Sequence, residues 1–153
     1  MPTWLKVTLG VVAAGIALFL LLIGGIFLYV RSHKDELISA GKEAMSAGAA
    51  YGTNQTAQGC IDEGLHRLTG ISSFGDEVKN NLWATGCLQA AAPTPGFCND
   101  VPLEGEILKT ASWRLAQCNA HAGVDPQRCQ RFLQVWQKAC HPSPEGPGSP
   151  LQR

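Results

Sequence analysis

The sequence predicts an all-α protein: one N-terminal transmembrane helix, a helical stalk, then a small four-helix disulfide-stapled domain. Three observations predict it. Val7 to Val30 is a run of 24 residues without one charged side chain. Downstream, four stretches repeat apolar residues at helical spacing, and no run of alternating β-branched residues reads as a strand. All six cysteines fall between Cys60 and Cys140, and three of their five gaps hold ten residues: Cys87-x10-Cys98, Cys118-x10-Cys129 and Cys129-x10-Cys140. The segments are therefore a flank at 1–6, a transmembrane helix at 7–30, a small-residue stalk at 31–54, a helical domain at 55–141 and a Pro/Gly-rich tail at 142–153.

As a helix the apolar run would be about 36 Å long, enough to cross a hydrocarbon core of about 30 Å with some tilt. Trp4 and Tyr29 fall at its two ends, where amphipathic rings prefer the interface. The apolar region of a cleaved signal peptide is only about 7–15 residues long and ends at a small-residue site, whereas this run continues to Val30 and meets Arg31. No cysteine follows the run to take a lipid. Lys6 on one side and Arg31 with Lys34 on the other leave the positive-inside count undecided. The cysteines set the orientation: six in a small domain fit an oxidising compartment, so the C-terminal part lies outside the cytoplasm. Gly10, Ala14, Gly24 and Gly25 are ordinary in a membrane helix and also permit close approach of another.

Between 31 and 52 the chain is rich in Ala, Gly and Ser and carries few large apolar residues. It reads as a helical connector ending at Gly48, Gly52 and Asn54. In the first domain helix Ala57, Cys60, Ile61, Gly64, Leu65 and Leu68 share a face, and Gly70 stops it. The second spans about Phe74 to Ala91, with Ser73 as N-cap, acids in its first turn and Phe74, Val78, Leu82 and Thr85 as its stripe. Pro93-Thr94-Pro95-Gly96 ends it. The third, about Pro102 to Ala120, carries Ile107, Leu108, Ala111, Leu115 and Cys118 as its core stripe. The fourth starts at Asp125 as N-cap with Pro126 in first position, and buries Cys129, Phe132, Leu133, Trp136 and Cys140.

Helix geometry restricts the 15 pairings that six cysteines allow. Cys129 and Cys140 are about 16 Å apart along one helix, beyond the roughly 7 Å that a disulfide tolerates. Cys118 and Cys129 stand level across the Gly123–Asp125 turn and are expected to bond. Cys87 and Cys98 flank the Pro93–Gly96 turn in the same way, which leaves Cys60 with Cys140. The alternative keeps Cys118–Cys129 but pairs Cys60–Cys87 and Cys98–Cys140. Spaced cysteine pairs on helical hairpins resemble the architecture of the twin Cys-x9-Cys proteins of the mitochondrial intermembrane space. Here the spacing is ten, the gaps share a cysteine, and an apolar segment precedes them.

The composition excludes several functions. The chain has 12 Lys and Arg against 12 Asp and Glu. Without a basic stripe there is no footprint for nucleic acid. Cys118-x2-His121 and Cys140-His141 place soft ligands together, but no Cys-x2-Cys pair supports a zinc knuckle, a thioredoxin-like site or haem attachment. Asp62, Glu63 and His66 share a helix face that reads as solvated, without the second Glu-x2-His copy that a carboxylate-bridged metal site needs. Asn54-Gln55-Thr56 is a formal glycosylation sequon that carries no weight by itself. No Gly-x-Ser-x-Gly elbow or phosphate loop is present. No catalytic residue, metal or cofactor is expected.

Trp113 lies about 200° around its helix from Leu115, so it points outward if Leu115 points in. With Arg114 beside it, and with Trp83, it is a candidate interface residue, since Trp and Arg are enriched at binding hot spots. The competing reading buries Trp113 on a second face of the bundle. The tail, with Pro142, Pro144, Pro147 and Pro150, reads as disordered. The expectation is a single-pass protein of a bacterial inner membrane with its domain in the periplasm: a non-catalytic accessory subunit or adaptor. Its partners are the lipid bilayer and another membrane or periplasmic protein. The alternative is a tethered module for a small ligand or a metal.

Overall fold

The structure, a computed structural model, describes residues 3–121 and 123–142. Its elements are α1 (Thr3–Gly52), α2 (Ala57–Leu68), α3 (Phe74–Ala90), α4 (Ile107–Asn119) and α5 (Pro126–Cys140), with no strand among the described residues. The expected tail lies outside the described residues from 143 onward, as do the side chains of Trp4, Lys6, Gly10 and Ala14.

The chain divides into two compact units between Ser39 and Ala40. In the first, every side chain from Gly15 to Tyr29 is exposed. No single described helix is long and apolar enough to cross a membrane. Gly15–Tyr29 and Arg31–Gly52 meet the length and composition only together, as a bent pair.

The second unit contains α2 to α5 and also the last turns of α1, which the sequence reads as stalk. Small residues are the reason, because they let two backbones touch. A Cβ added at Gly48 would lie 1.9 Å from the Trp83 carbonyl oxygen, and one at Gly52 would lie 2.3 Å from that of Cys87. From the other side, a Cβ at Gly86 would lie 2.1 Å from the Met45 carbonyl oxygen. Residues that make a poor core by burial make a close helix–helix seam by shape.

The remaining helices start and stop on local chemistry. Thr56 caps α2 by accepting from the Gly59 N–H, Ser73 caps α3 through the Asp76 N–H, and Asp125 caps α5 through the Arg128 N–H. Pro126 sits at the start of α5, where a missing N–H costs nothing. Gly96 and Gly123 hold φ of +77° and +89°, the left-handed region that closes the turns after α3 and after α4. The core is one cluster in which Ile61, Leu65 and Leu68 of α2 meet Trp83 and Leu88 of α3 and Phe132, Leu133 and Trp136 of α5. Gly64 makes room for the Phe132 ring, since a Cβ there would lie 2.2 Å from its Cζ.

Three disulfides join Cys60 to Cys87, Cys98 to Cys140 and Cys118 to Cys129, with Cα–Cα distances of 5.8, 5.4 and 5.8 Å. The first and last close the α2–α3 and α4–α5 hairpins. This is the alternative pairing; Cys118–Cys129 is as expected, and the first-choice Cys87–Cys98 and Cys60–Cys140 bonds are not made. Past α3 the chain turns extended at Ala91 (ψ 150°) and Ala92 exchanges backbone hydrogen bonds with Gln55 and Ala57. It then runs to the end of α5. There Phe97 stacks on Trp136 at 5.2 Å between ring centroids, and the Trp136 indole N–H donates to the Phe97 carbonyl. That crossing delivers Cys98 to Cys140, leaving Cys87 level with Cys60 across the hairpin.

Two helices are rotated from the expected faces. Phe74 and Val78 of α3 are exposed; the buried face is Glu77, Asn80, Trp83, Ala84, Cys87 and Leu88. Polar residues are tolerated there because they find partners. Arg131 donates to both carboxylate oxygens of Glu77, at 2.6 and 2.9 Å, and Asn80 Nδ2 donates to the Gly64 carbonyl at 2.9 Å. The helix α4 begins at Ile107 rather than near Pro102, since the carbonyls of Pro102 and Leu103 accept from Gln137 and Thr110 side chains instead of from a following helical turn.

Candidate interaction surfaces

On α4 the inward face is set by polar and aromatic contacts to α5. Buried Gln137 is the hub: its Nε2 donates to the Pro102 carbonyl at 2.8 Å and to Thr110 Oγ1 at 3.1 Å, and its Oε1 accepts from Arg114 at 2.6 Å. Trp113 meets Trp136 edge to face, with ring centroids 5.5 Å apart. The Cys118–Cys129 bond ties the end of α4 to the start of α5. Burial draws the Arg114 guanidinium below its usual pKa, against the opposing pull of Glu104.

These contacts place the three interface candidates. Trp113 is half-buried against the core, and Arg114 bonds inward to Gln137, so the second-face reading describes Trp113. Trp83 is 4% exposed, covered by the Arg67 guanidinium 3.7 Å from its ring centroid and flanked by Tyr51. Trp83 is buried, and Trp113 and Arg114 are half-buried with contacts to α5.

The same rotation brings Ile107, Leu108, Ala111 and Leu115 of the expected core stripe of α4 to the surface, while Cys118 is buried as expected. Ile107 is 77%, Leu108 86% and Leu115 52% exposed, with Ala111 between them and Leu103 exposed just before the helix. At 100° per residue, Ile107, Ala111, Leu115 and Leu108 fall within about 100° of arc, an apolar strip without a charge that ends where Cys118, in the same arc, turns into its disulfide. The sequence carried a sign of this: α4 is apolar on two sides, with Trp113 on one and Ile107, Leu108 and Leu115 on the other.

A second feature is a groove of about 470 Å³ formed by the end of α1 with α2 and α3. Its lining includes Ala40, Ala44 and Ala47 of α1, Arg67 of α2, and Asp76, Lys79, Asn80 and Trp83 of α3, with Glu43 beside them. Arg67 donates to Glu63 at 2.9 Å, and Lys79 Nζ stands 4.0 Å from Asp76.

The metal candidates are occupied otherwise. Cys118 and Cys140 are in disulfides. His121 Nδ1 donates to the Gln117 carbonyl and His141 Nε2 to that of Val101. Glu63 holds Arg67, beside exposed His66. Among the described residues no group of three His, Cys, Asp or Glu side chains is placed to hold a metal ion. No family model, curated protein or solved structure matches this chain.

Proposed function

We propose that the chain is a single-pass membrane protein whose helical domain is a non-catalytic interaction module, an accessory subunit or adaptor of an envelope membrane complex. The observation that carries the reading is the apolar strip of α4. Large aliphatic side chains standing this far into solvent on a helix otherwise packed against α5 are the usual mark of a partner-binding face. The uncharged run Val7–Val30 supports the anchor. The three disulfides, two of them closing hairpins, support an oxidising compartment, which for a bacterial inner-membrane protein is the periplasm. The partners under this reading are the bilayer and another membrane or periplasmic protein, and the neutral charge balance supports no nucleic acid.

The test is gentle extraction of the full-length protein from its native membrane, alone and as Leu108→Asp. A stoichiometric companion that is present with the wild type and lost with the variant supports the reading. A protein that extracts alone and monomeric counts against it. The second reading, a tethered small-ligand module, is favoured by one observation: the groove beside Asn80.

A further inference from the structure

We infer that the partner met by the apolar strip of α4 is a second copy of this chain, packed antiparallel so that Arg114 of each copy faces Glu104 of the other. The inference rests on the reading of that strip as a binding face and names its occupant. Ala111 stands at the middle of the strip, four residues from both Ile107 and Leu115. A small residue there lets a second helix come close, while the exposed aliphatic side chains on either side of it pack against those of the other copy.

One edge of the strip carries charge of both signs. Arg114 follows Ala111 by three residues and Ile107 by seven, so it borders the strip. It donates to the neutral side chain of Gln137 and has no ion pair among the described residues. Glu104 is exposed, is likewise without an ion pair among the described residues, and acts on Arg114 only from a distance. The Thr110 hydroxyl donates to the Leu103 carbonyl at 3.2 Å, which holds the turn at Leu103 and Glu104 against the same side of α4. Glu106 and Lys109 pair with each other, and the opposite edge of the strip, at Ser112 and Asn119, is uncharged. A two-fold axis between antiparallel helices brings the same edge of each together in reverse order. An edge holding one cation and one anion, neither paired in its own chain, is complementary to itself under that operation, and both pairs form at once. Parallel packing would set the charged edge against the uncharged one.

The experiment measures the mass of the full-length protein in detergent micelles by sedimentation equilibrium. It compares the wild type with Glu104→Arg, Arg114→Glu, an equimolar mixture of those two, and Ile107→Asp. The wild type is expected to dimerise. Glu104→Arg, at an exposed position, is expected to weaken the dimer about tenfold or more, since two ion pairs become two repulsions. The mixture is expected to recover the wild-type affinity, because a mixed dimer keeps one pair as it was and remakes the other with its signs exchanged. Ile107→Asp is expected to be monomeric with the circular dichroism of the wild type. If Arg114→Glu loses its fold with the Gln137 bond, Glu104→Arg and Ile107→Asp decide alone. A monomeric wild type overturns the inference, as does a dimer untouched by Glu104→Arg or a folded Arg114→Glu that fails to rescue it. A dimer that survives Ile107→Asp is held elsewhere in the chain and also overturns it. A companion of different mass that is lost with Leu108→Asp overturns the second copy but leaves the binding-face reading standing; a monomer without a companion removes both.

Discussion

At the scale of single residues, the fold rests on positions where a side chain is missing as much as on those where one is present. Gly48 and Gly86 bring two backbones into contact, and any Cβ there meets a carbonyl rather than a flexible side chain. Gly48→Ala is expected to destabilise the domain by about 1–3 kcal/mol through overpacking. Gly24→Ala, with no atom within 4 Å of an added Cβ, is expected to leave the melting temperature unchanged. Thermal unfolding of the two variants checks both. Glu77 supplies a pH dependence. The hydrogen bonds from Arg131 hold its carboxyl below the usual carboxylate range, with burial opposing. A lowered folded pKa contributes stability that is complete above the usual range and is lost as the pH falls through the lowered value. Wild type should therefore be more stable than Glu77→Gln at neutral pH, and the gap should close below about pH 4. A gap independent of pH would remove the ion pair from the account.

At the scale of elements, capping chemistry was legible in the sequence and helix rotation was not. Ser73, Asp125 and Pro126 read correctly because a cap is a local event between neighbours in sequence. The buried faces of α3 and α4 differ from those that apolar spacing predicts. In α3 the winning terms are long-range: Arg131 on Glu77, the close contact of Gly86 with α1, and Cys87 bonded to Cys60. In α4 they are Gln137 and Trp136. The α5 face read correctly, since Phe132, Leu133 and Trp136 are apolar and buried and no polar residue competes for the core side except Gln137. The end of α1 was assigned to a stalk because small residues bury little area, although they are what a tight helix contact requires. A fragment beginning at residue 40 should keep the thermal midpoint of the full domain. One beginning at 53 should lose roughly 10 °C or more, about 2 kcal/mol for a domain of this size. Equal midpoints would return Ala40–Gly52 to the role of connector.

At the scale of the whole molecule, the disulfide topology is the expectation most directly open to chemistry. Hairpin symmetry favoured Cys87–Cys98, and what defeats it is the path of the chain after Ala91, drawn to α5 by Phe97 and Trp136. Non-reducing peptide mapping should recover Cys60 with Cys87, Cys98 with Cys140, and Cys118 with Cys129. A peptide linking Cys87 to Cys98 would contradict that path. In intact cells the six cysteines should resist alkylation until reduced, as expected of buried disulfides outside the cytoplasm. Ready labelling would contradict the topology. Function was less legible than fold, because the candidate surface is made of the residues the sequence had placed in the core.

The account's central claim is that the exposed strip of α4 is where this domain meets its partner. The most direct measurement places a photo-crosslinking side chain at Leu108 in the full-length protein, and for comparison at Lys138 on the solvent side of α5, and illuminates native membranes. The account predicts one discrete adduct of defined mass from position 108 and none from position 138. No adduct at 108, or the same adducts from both positions, would contradict it.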